Sequence, residues 1–233
     1  MRPAIRDLVS IVQNTLPIRE PIYEFGSLQV GRDSELADLR PIFPRQKYVG
    51  ADMREGPGVD KLLDLHDIDL PSGSAGTVLC IDTLEHVEYP HKALEEIHRI
   101  IVPDGVVVIT SVMDFPIHDY PYDYWRFTPE AFRSLLKPFP HSFIGFAGNE
   151  KHPHTVVGIG FKGVCPPLVE FKNRYKDWQE EQIVQASLPK QKSLPTITWI
   201  RRLITPPIFS NKGRKALGLT RRSSCQDKSE SLG

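Results

Sequence analysis

Cysteine is scarce in this chain: Cys80, Cys165 and Cys225 are the only three among 233 residues, and no two stand close together. That excludes a disulfide framework, a zinc finger and a thioredoxin-type redox pair. Long apolar runs are missing too. No stretch nears the roughly 18 residues needed to cross a bilayer, and residues 1–20 lack the compact apolar run of a secretory signal. A soluble, cytoplasmic protein is expected. Net charge is also absent, with 29 basic and 29 acidic residues. What the chain does have is 40% hydrophobic residues, with 11 Phe, 7 Tyr and 3 Trp, enough for a sizeable core. Its length suits one domain with an appendage.

The neutral total conceals an asymmetry. Residues 1–181 carry 19 basic and 27 acidic side chains, whereas residues 182–226 carry nine basic ones and no acid. Pro195, Pro206 and Pro207 interrupt the basic segment. A shift this abrupt divides the chain into a body, 1–181, and a basic, Pro-interrupted extension, 182–233.

Within the body, short apolar runs alternate with helical spacing. Residues 22–25, 47–52 and 77–82 read as strands, and the last of these is apolar on both faces, as a central parallel strand is. Ser34 to Leu39 has helical character. Ala93, Leu94, Ile97, Ile100 and Ile101 recur at helical spacing, and Pro103-Asp104-Gly105 stops that helix before a strand at 106–110. Thr128-Pro129 caps a helix running to about 137. Residues 142–146 and 155–161 form an antiparallel pair, and a helix over 168–186 closes the body. Such alternation predicts an α/β fold whose ligands bind at the carboxyl ends of the strands.

Several acids and one glycine fall at those ends. Glu24-Phe25-Gly26-Ser27 follows the first strand, where a glycine lets the backbone turn tightly and approach a ligand. Asp52, followed by Met53, ends the second strand, where an acid can accept hydrogen bonds from ribose hydroxyls. Asp64-Leu65 follows a short apolar pair, and Asp82-Thr83-Leu84-Glu85-His86-Val87 follows the strongest strand. Each has a plain alternative, an ordinary turn or a solvated strand-end acid, but four acidic positions on one edge are hard to assign to chance.

In order and separation, these residues resemble the class I S-adenosylmethionine-dependent methyltransferases, over about residues 22–163. The resemblance implies a Rossmann-like, doubly wound, seven-stranded sheet, mostly parallel with one antiparallel strand, and S-adenosyl-L-methionine as cofactor. It implies that Glu24, Gly26 and Ser27 form the glycine-motif turn, Asp52 and Met53 the ribose site, Asp64 and Leu65 the adenine contact, and Asp82 and Thr83 the edge after the fourth strand. One departure stands out: the family's run of glycines keeps only Gly26, with Leu28 and Val30 in the later places.

Residues 113–127 concentrate His118, Asp119, Tyr120, Tyr122, Asp123, Tyr124, Trp125 and Arg126 just after the fifth strand. The resemblance places this loop at the acceptor. Aromatic rings exclude water, a His or Asp takes a proton, and an Arg fixes an anion. His118 and Tyr120 are the candidate catalytic residues, with His86 either a base or a residue ordering the cofactor edge; Trp125 and Phe127 read better as caps on the core. Glu85 and His86 are both metal-ligand types, but adjacent positions without a third partner are poor grounds, and no metal is expected. The reading is methyl transfer to an oxygen or nitrogen of a small-molecule or glycan-like acceptor, the alternative being a non-catalytic relative. Residues 196–204 of the extension are amphipathic and suit peripheral contact with an anionic membrane surface or with the acidic body. The acidic body argues against nucleic acid.

Overall fold

The computed structural model describes residues 2–30, 34–118 and 121–187. Tyr120 and the extension from 188 onward lie outside the described residues. Seven strands form one sheet: β1 (Ile22–Phe25), β2 (Tyr48–Asp52), β3 (Lys61–Leu62), β4 (Ala75–Ile81), β5 (Ile101–Val112), β6 (His141–Gly148) and β7 (Pro153–Phe161). Their order is β3-β2-β1-β4-β5-β7-β6. Neighbours from β3 to β5 pair in parallel, and β7 runs antiparallel to both β5 and β6. This is the mostly parallel Rossmann-like sheet expected from the sequence. All seven residues of β4 are buried, which is why that strand reads as apolar on both faces.

Helices cover both faces. On one side α1 (Pro3–Thr15) and α5 (Val169–Ser187) pack Ile5, Leu8, Val9, Phe171 and Trp178 against Leu79, Val108 and Val157. On the other, α3 (Pro90–Ile100) and α4 (Pro129–Leu135) pack Leu94, Ile97 and Phe132 against Val78, Cys80 and Ile109. The Thr128 hydroxyl caps α4 by accepting from the Ala131 amide.

Three details differ from the expectation. The helix α1 was not anticipated, although Pro3 stands in its first turn and Ile5, Leu8, Val9 and Val12 make the buried stripe. Between β1 and β2 the crossover has only the four-residue α2 (Ser34–Ala37) and a tight turn at Arg40–Ile42, because Pro41 and Pro44 interrupt it. Leu39 and Phe43 from this crossover join the α1 cluster and cover that part of the sheet. Finally, Pro103-Asp104-Gly105 does not precede β5 but bulges within it, since Ala75 pairs with Ile101 and Thr77 with Val106.

α5 continues through residue 182 to Ser187, with Gln182 buried. Among the described residues no helix is long and apolar enough to cross a membrane. The feature that positions a site is the order itself. From β1 the chain crosses to β2 on one side, and from β4 it crosses to β5 on the other. The carboxyl ends of β1 and β4 therefore flank a crevice, the switch point at which such sheets bind ligands.

Candidate active site

Gly26 leaves β1 with φ +83, and a Cβ there would enter the side chain of Thr83. Only glycine takes that turn without strain. The Thr83 hydroxyl lies 3.2 Å from the Phe25 carbonyl and 3.0 Å from that of Ile81, bridging the ends of β1 and β4 across the crevice. The amides of Gly26 and Ser27 both donate to the Ala51 carbonyl, at 2.9 and 3.1 Å. The Ser27 hydroxyl is buried over Gly50 and has no hydrogen-bond partner among the described residues. Leu28, where the resemblance called for glycine, rests on Gly56, and the Gln29 amide donates to the Pro57 carbonyl at 2.9 Å. The turn after β1 thus leans on the loop after β2.

Asp52 ends β2 almost fully buried, its Oδ1 accepting from the Arg54 amide at 2.9 Å and lying 3.6 Å from the Arg54 Nε. Met53 beside it is exposed, Leu65 is buried in the core, and Asp64 is exposed and accepts from the amide and Nδ1 of His66, both at 2.8 Å. Glu24 is placed differently from its neighbours. It shares the α1 side of the sheet with Ile22, and the Tyr48 hydroxyl donates to its Oε2 at 2.7 Å. Burial pushes this carboxyl up to about 7, against the pull of the Tyr48 bond.

Asp82, at the end of β4, has φ +46, a left-handed backbone that Asp tolerates better than most residues. Its amide donates to both oxygens of Thr110, its Oδ1 accepts from the Thr110 hydroxyl at 2.8 Å, and its Oδ2 accepts from Arg2 at 3.0 Å. Arg2 also reaches His154 Nδ1 at 3.1 Å and stands over the Phe115 ring. Burial and this arginine hold the His154 imidazole below its ordinary range. Arg2, Thr110 and His154 come from three distant segments, and no local pattern in the sequence marks them.

The loop after β5 is stitched to the turn after β4. Tyr124 and Trp125 amides donate to the Glu85 carbonyl at 2.8 and 3.2 Å, and the Trp125 indole donates to the Val87 carbonyl at 3.0 Å. Asp123, with its side chain 1% exposed, accepts from Arg126 at 2.5 and 2.7 Å and from the His118 amide at 2.7 Å. Its carboxyl is accordingly held well below the usual range, chiefly by Arg126. Arg126 was expected to fix an anion. Instead it is engaged by Asp123 and by the carbonyls of Phe115, Pro116 and Trp125, and serves as the loop's internal clasp. Phe127 caps the core against Phe132 as expected, while Trp125 is partly exposed.

Of the three proposed catalytic residues, His86 and His118 meet, with ring centroids 4.8 Å apart, and Tyr120 lies outside the described residues. Glu85 sits beneath them, buried, with Ser111 donating to its Oε2 at 2.6 Å. Burial and the Asp82 carboxylate push the Glu85 carboxyl upward. Two shallow, open depressions lie along α1 and α5, lined by Asp177 and Glu181, away from the carboxyl edge. At that edge the buried Asp52 carboxylate, at the end of β2 beside the Gly26 turn, is of a kind that can accept from the hydroxyls of a nucleoside.

Residues 45–109, from just before β2 into β5, match the model of the methyltransferase domain family. Over that span the chain is similar to the methyltransferase domain family. No curated protein matches the sequence. Among solved structures, an S-adenosylmethionine-dependent methyltransferase from Thermotoga maritima is 18% identical and superposes with a TM-score of 0.50, covering 68% of this chain and 91% of that one. The likeness is one of fold. The fold is also similar to that of the citrinin polyketide synthase CMeT domain, at 12% identity, 62% of this chain and TM-score 0.48. For the CurJ carbon methyltransferase the figures are 13%, 66% and 0.48. The chain spans about half the length of those two, 46% and 51%.

Proposed function

We propose that the domain binds S-adenosylmethionine at the switch point and transfers its methyl group to an oxygen or nitrogen of a small-molecule or glycan-like acceptor. The observation that carries this reading is the meeting of Gly26, Thr83 and Asp52 at the carboxyl ends of β1, β4 and β2, inside a methyltransferase fold. Bound there, the cofactor supplies an electrophilic methyl on a sulfonium. Asp52 accepts the hydrogen bonds of the ribose hydroxyls through its carboxylate. Gly26, having no side chain, lets the turn approach the cofactor. The loop after β5 excludes water with Phe115, Tyr122 and Trp125 and positions the acceptor, and positioning accounts for much of the acceleration in such a displacement. His86 and His118 take the proton when the acceptor is a hydroxyl, which is a weak nucleophile.

The competing reading is a non-catalytic relative, favoured by Leu28 resting on Gly56 where the family has glycine. Calorimetric titration with S-adenosylmethionine and S-adenosylhomocysteine separates the two. Binding of both is expected, weakened in Asp52→Ala by roughly 1.5–3 kcal/mol, the worth of a hydrogen bond to a charged group. No binding to the unaltered protein would support the non-catalytic relative, and equal binding by the variant would remove Asp52 from the site.

A further inference from the structure

Three metal-competent side chains meet where the turn after β4 touches the loop after β5, and each has its outer atom occupied. Glu85 is fully buried, with Oε2 bonded to Ser111 and Oε1 buried without a hydrogen-bond partner among the described residues. An orphaned carboxylate oxygen carries a desolvation cost that a cation would remove. His86 Nδ1 lies 2.7 Å from the Tyr122 carbonyl, which can only accept, so Nδ1 carries the hydrogen and Nε2 keeps its lone pair. His118 Nδ1 lies 3.2 Å from the Pro116 carbonyl and 3.3 Å from Asp123 Oδ2, again both acceptors, which assigns the same tautomer. One ligand atom from each of the three lies within 4.8 Å of the others.

We propose that Glu85, His86 and His118 bind a single divalent transition-metal ion. Two imidazoles and one carboxylate suit Zn2+, Co2+, Fe2+ or Mn2+, whereas Mg2+ and Ca2+ favour all-oxygen sets. Around an ion with bonds of about 2.0–2.2 Å the donor atoms stand roughly 3–3.5 Å apart, so the three draw in by about 1 Å. His118 makes that adjustment, being on a loop and one-third exposed. The surroundings resemble those of ligating histidines elsewhere: a carbonyl or carboxylate holds the far ring nitrogen, and Asp123 is itself fixed by Arg126. Glu85 and His86 alone offered no third ligand in the sequence; the fold supplies it from 32 residues beyond His86.

Three protein ligands leave coordination positions for water or an acceptor oxygen. Where methyl transfer is concerned, and only there, the inference rests on the proposed function. The ion occupies the lone pairs of both histidines, so it, and not the imidazoles, activates the acceptor: a hydroxyl bound to the ion becomes more acidic and gives its proton to solvent water.

The test is titration of the full-length, chelator-treated protein with Co2+, followed by its visible absorption, and with Zn2+ and Mg2+ by calorimetry, all without S-adenosylmethionine. One saturable Co2+ and Zn2+ site is expected, with Mg2+ at least tenfold weaker. His118→Ala and Glu85→Gln should each weaken Co2+ by roughly a hundredfold, above the loss seen when only an outer partner of a ligand is removed. Far-ultraviolet circular dichroism checks that both variants are folded, and His118→Ala, altering a partly exposed side chain, is the decisive one. No Co2+ binding by the unaltered protein overturns the proposal, as does full-strength binding by folded His118→Ala, which would put the ion elsewhere. Because no cofactor is present, a failure of the S-adenosylmethionine reading leaves this result standing.

Discussion

The two halves of the carboxyl edge are built on opposite plans. On the β1–β2 side, polar side chains are spent on the protein itself: Glu24 holds Tyr48, Arg40 holds Asp60 at 2.6 Å, and Asp60 accepts from the Gly50 amide at 2.8 Å. What is left for a ligand is a bare glycine turn and one carboxylate. On the β4–β5 side the backbone does the stitching, and the side chains of Glu85, His86 and His118 converge with atoms to spare. Under the proposed function, the first half holds one invariant ligand by backbone shape, and the second acts on an acceptor through side chains set in a frame that Asp123 and Arg126 make.

The comparison breaks most visibly at Gly26. Gly26→Ala should cost about 4 kcal/mol in chemical denaturation, from a left-handed backbone and overlap with Thr83 together. Adding Thr83→Ala should restore the overlap part but not the backbone part. A fully tolerated alanine would mean that the turn is not built on glycine.

Glu24 sharpens the claim that the β1–β2 side is structural. Its folded carboxyl titrates near 7, above the ordinary 4.5, so between those values the folded state binds a proton that the unfolded state does not. Stability is therefore highest below that window and falls as pH rises through it, by roughly 3 kcal/mol for this group. Glu24→Gln should flatten that part of the curve, read as the difference between the two proteins' denaturation midpoints at pH 5 and pH 8. Parallel curves would contradict the burial argument.

On the other side, Asp123→Asn removes the charge that clasps Arg126 and should cost roughly 1.5–3 kcal/mol. The loss should appear as faster amide exchange confined to residues 115–126. Exchange spread evenly over the sheet would show that the loop is not an independent frame. The smallest effect belongs to Ser27. Its hydroxyl has no partner among the described residues, so Ser27→Ala should change stability by less than about 1 kcal/mol and leave S-adenosylmethionine affinity intact. A drop in affinity alone would make that hydroxyl a cofactor ligand.

The same contrast explains what could be read from the sequence. The strands around the crevice were legible because β4 and β5 are apolar runs bounded by turn residues, and Gly26, Asp52 and Asp82 sit where those runs end. The β4–β5 half was legible only as composition. His118 meets His86 because two loops fold together, and Arg126 turns inward because Asp123 is three residues away and buried, neither of which a periodicity records. Glu24 shows a related limit of sequence reading. A strand-end acid reads alike whether it faces the ligand edge or the opposite side of the sheet, and only Tyr48, from another strand, decides. The helix α1 carried an adequate signal in Ile5, Leu8, Val9 and Val12.

The most direct test of the central claim is a crystal structure of the full chain grown with S-adenosylhomocysteine. The account predicts the ligand across the carboxyl ends of β1 and β4, its ribose hydroxyls on Asp52 and its sulfur facing His86 and His118. A ligand bound elsewhere on the sheet, or none at a saturating concentration, would contradict it.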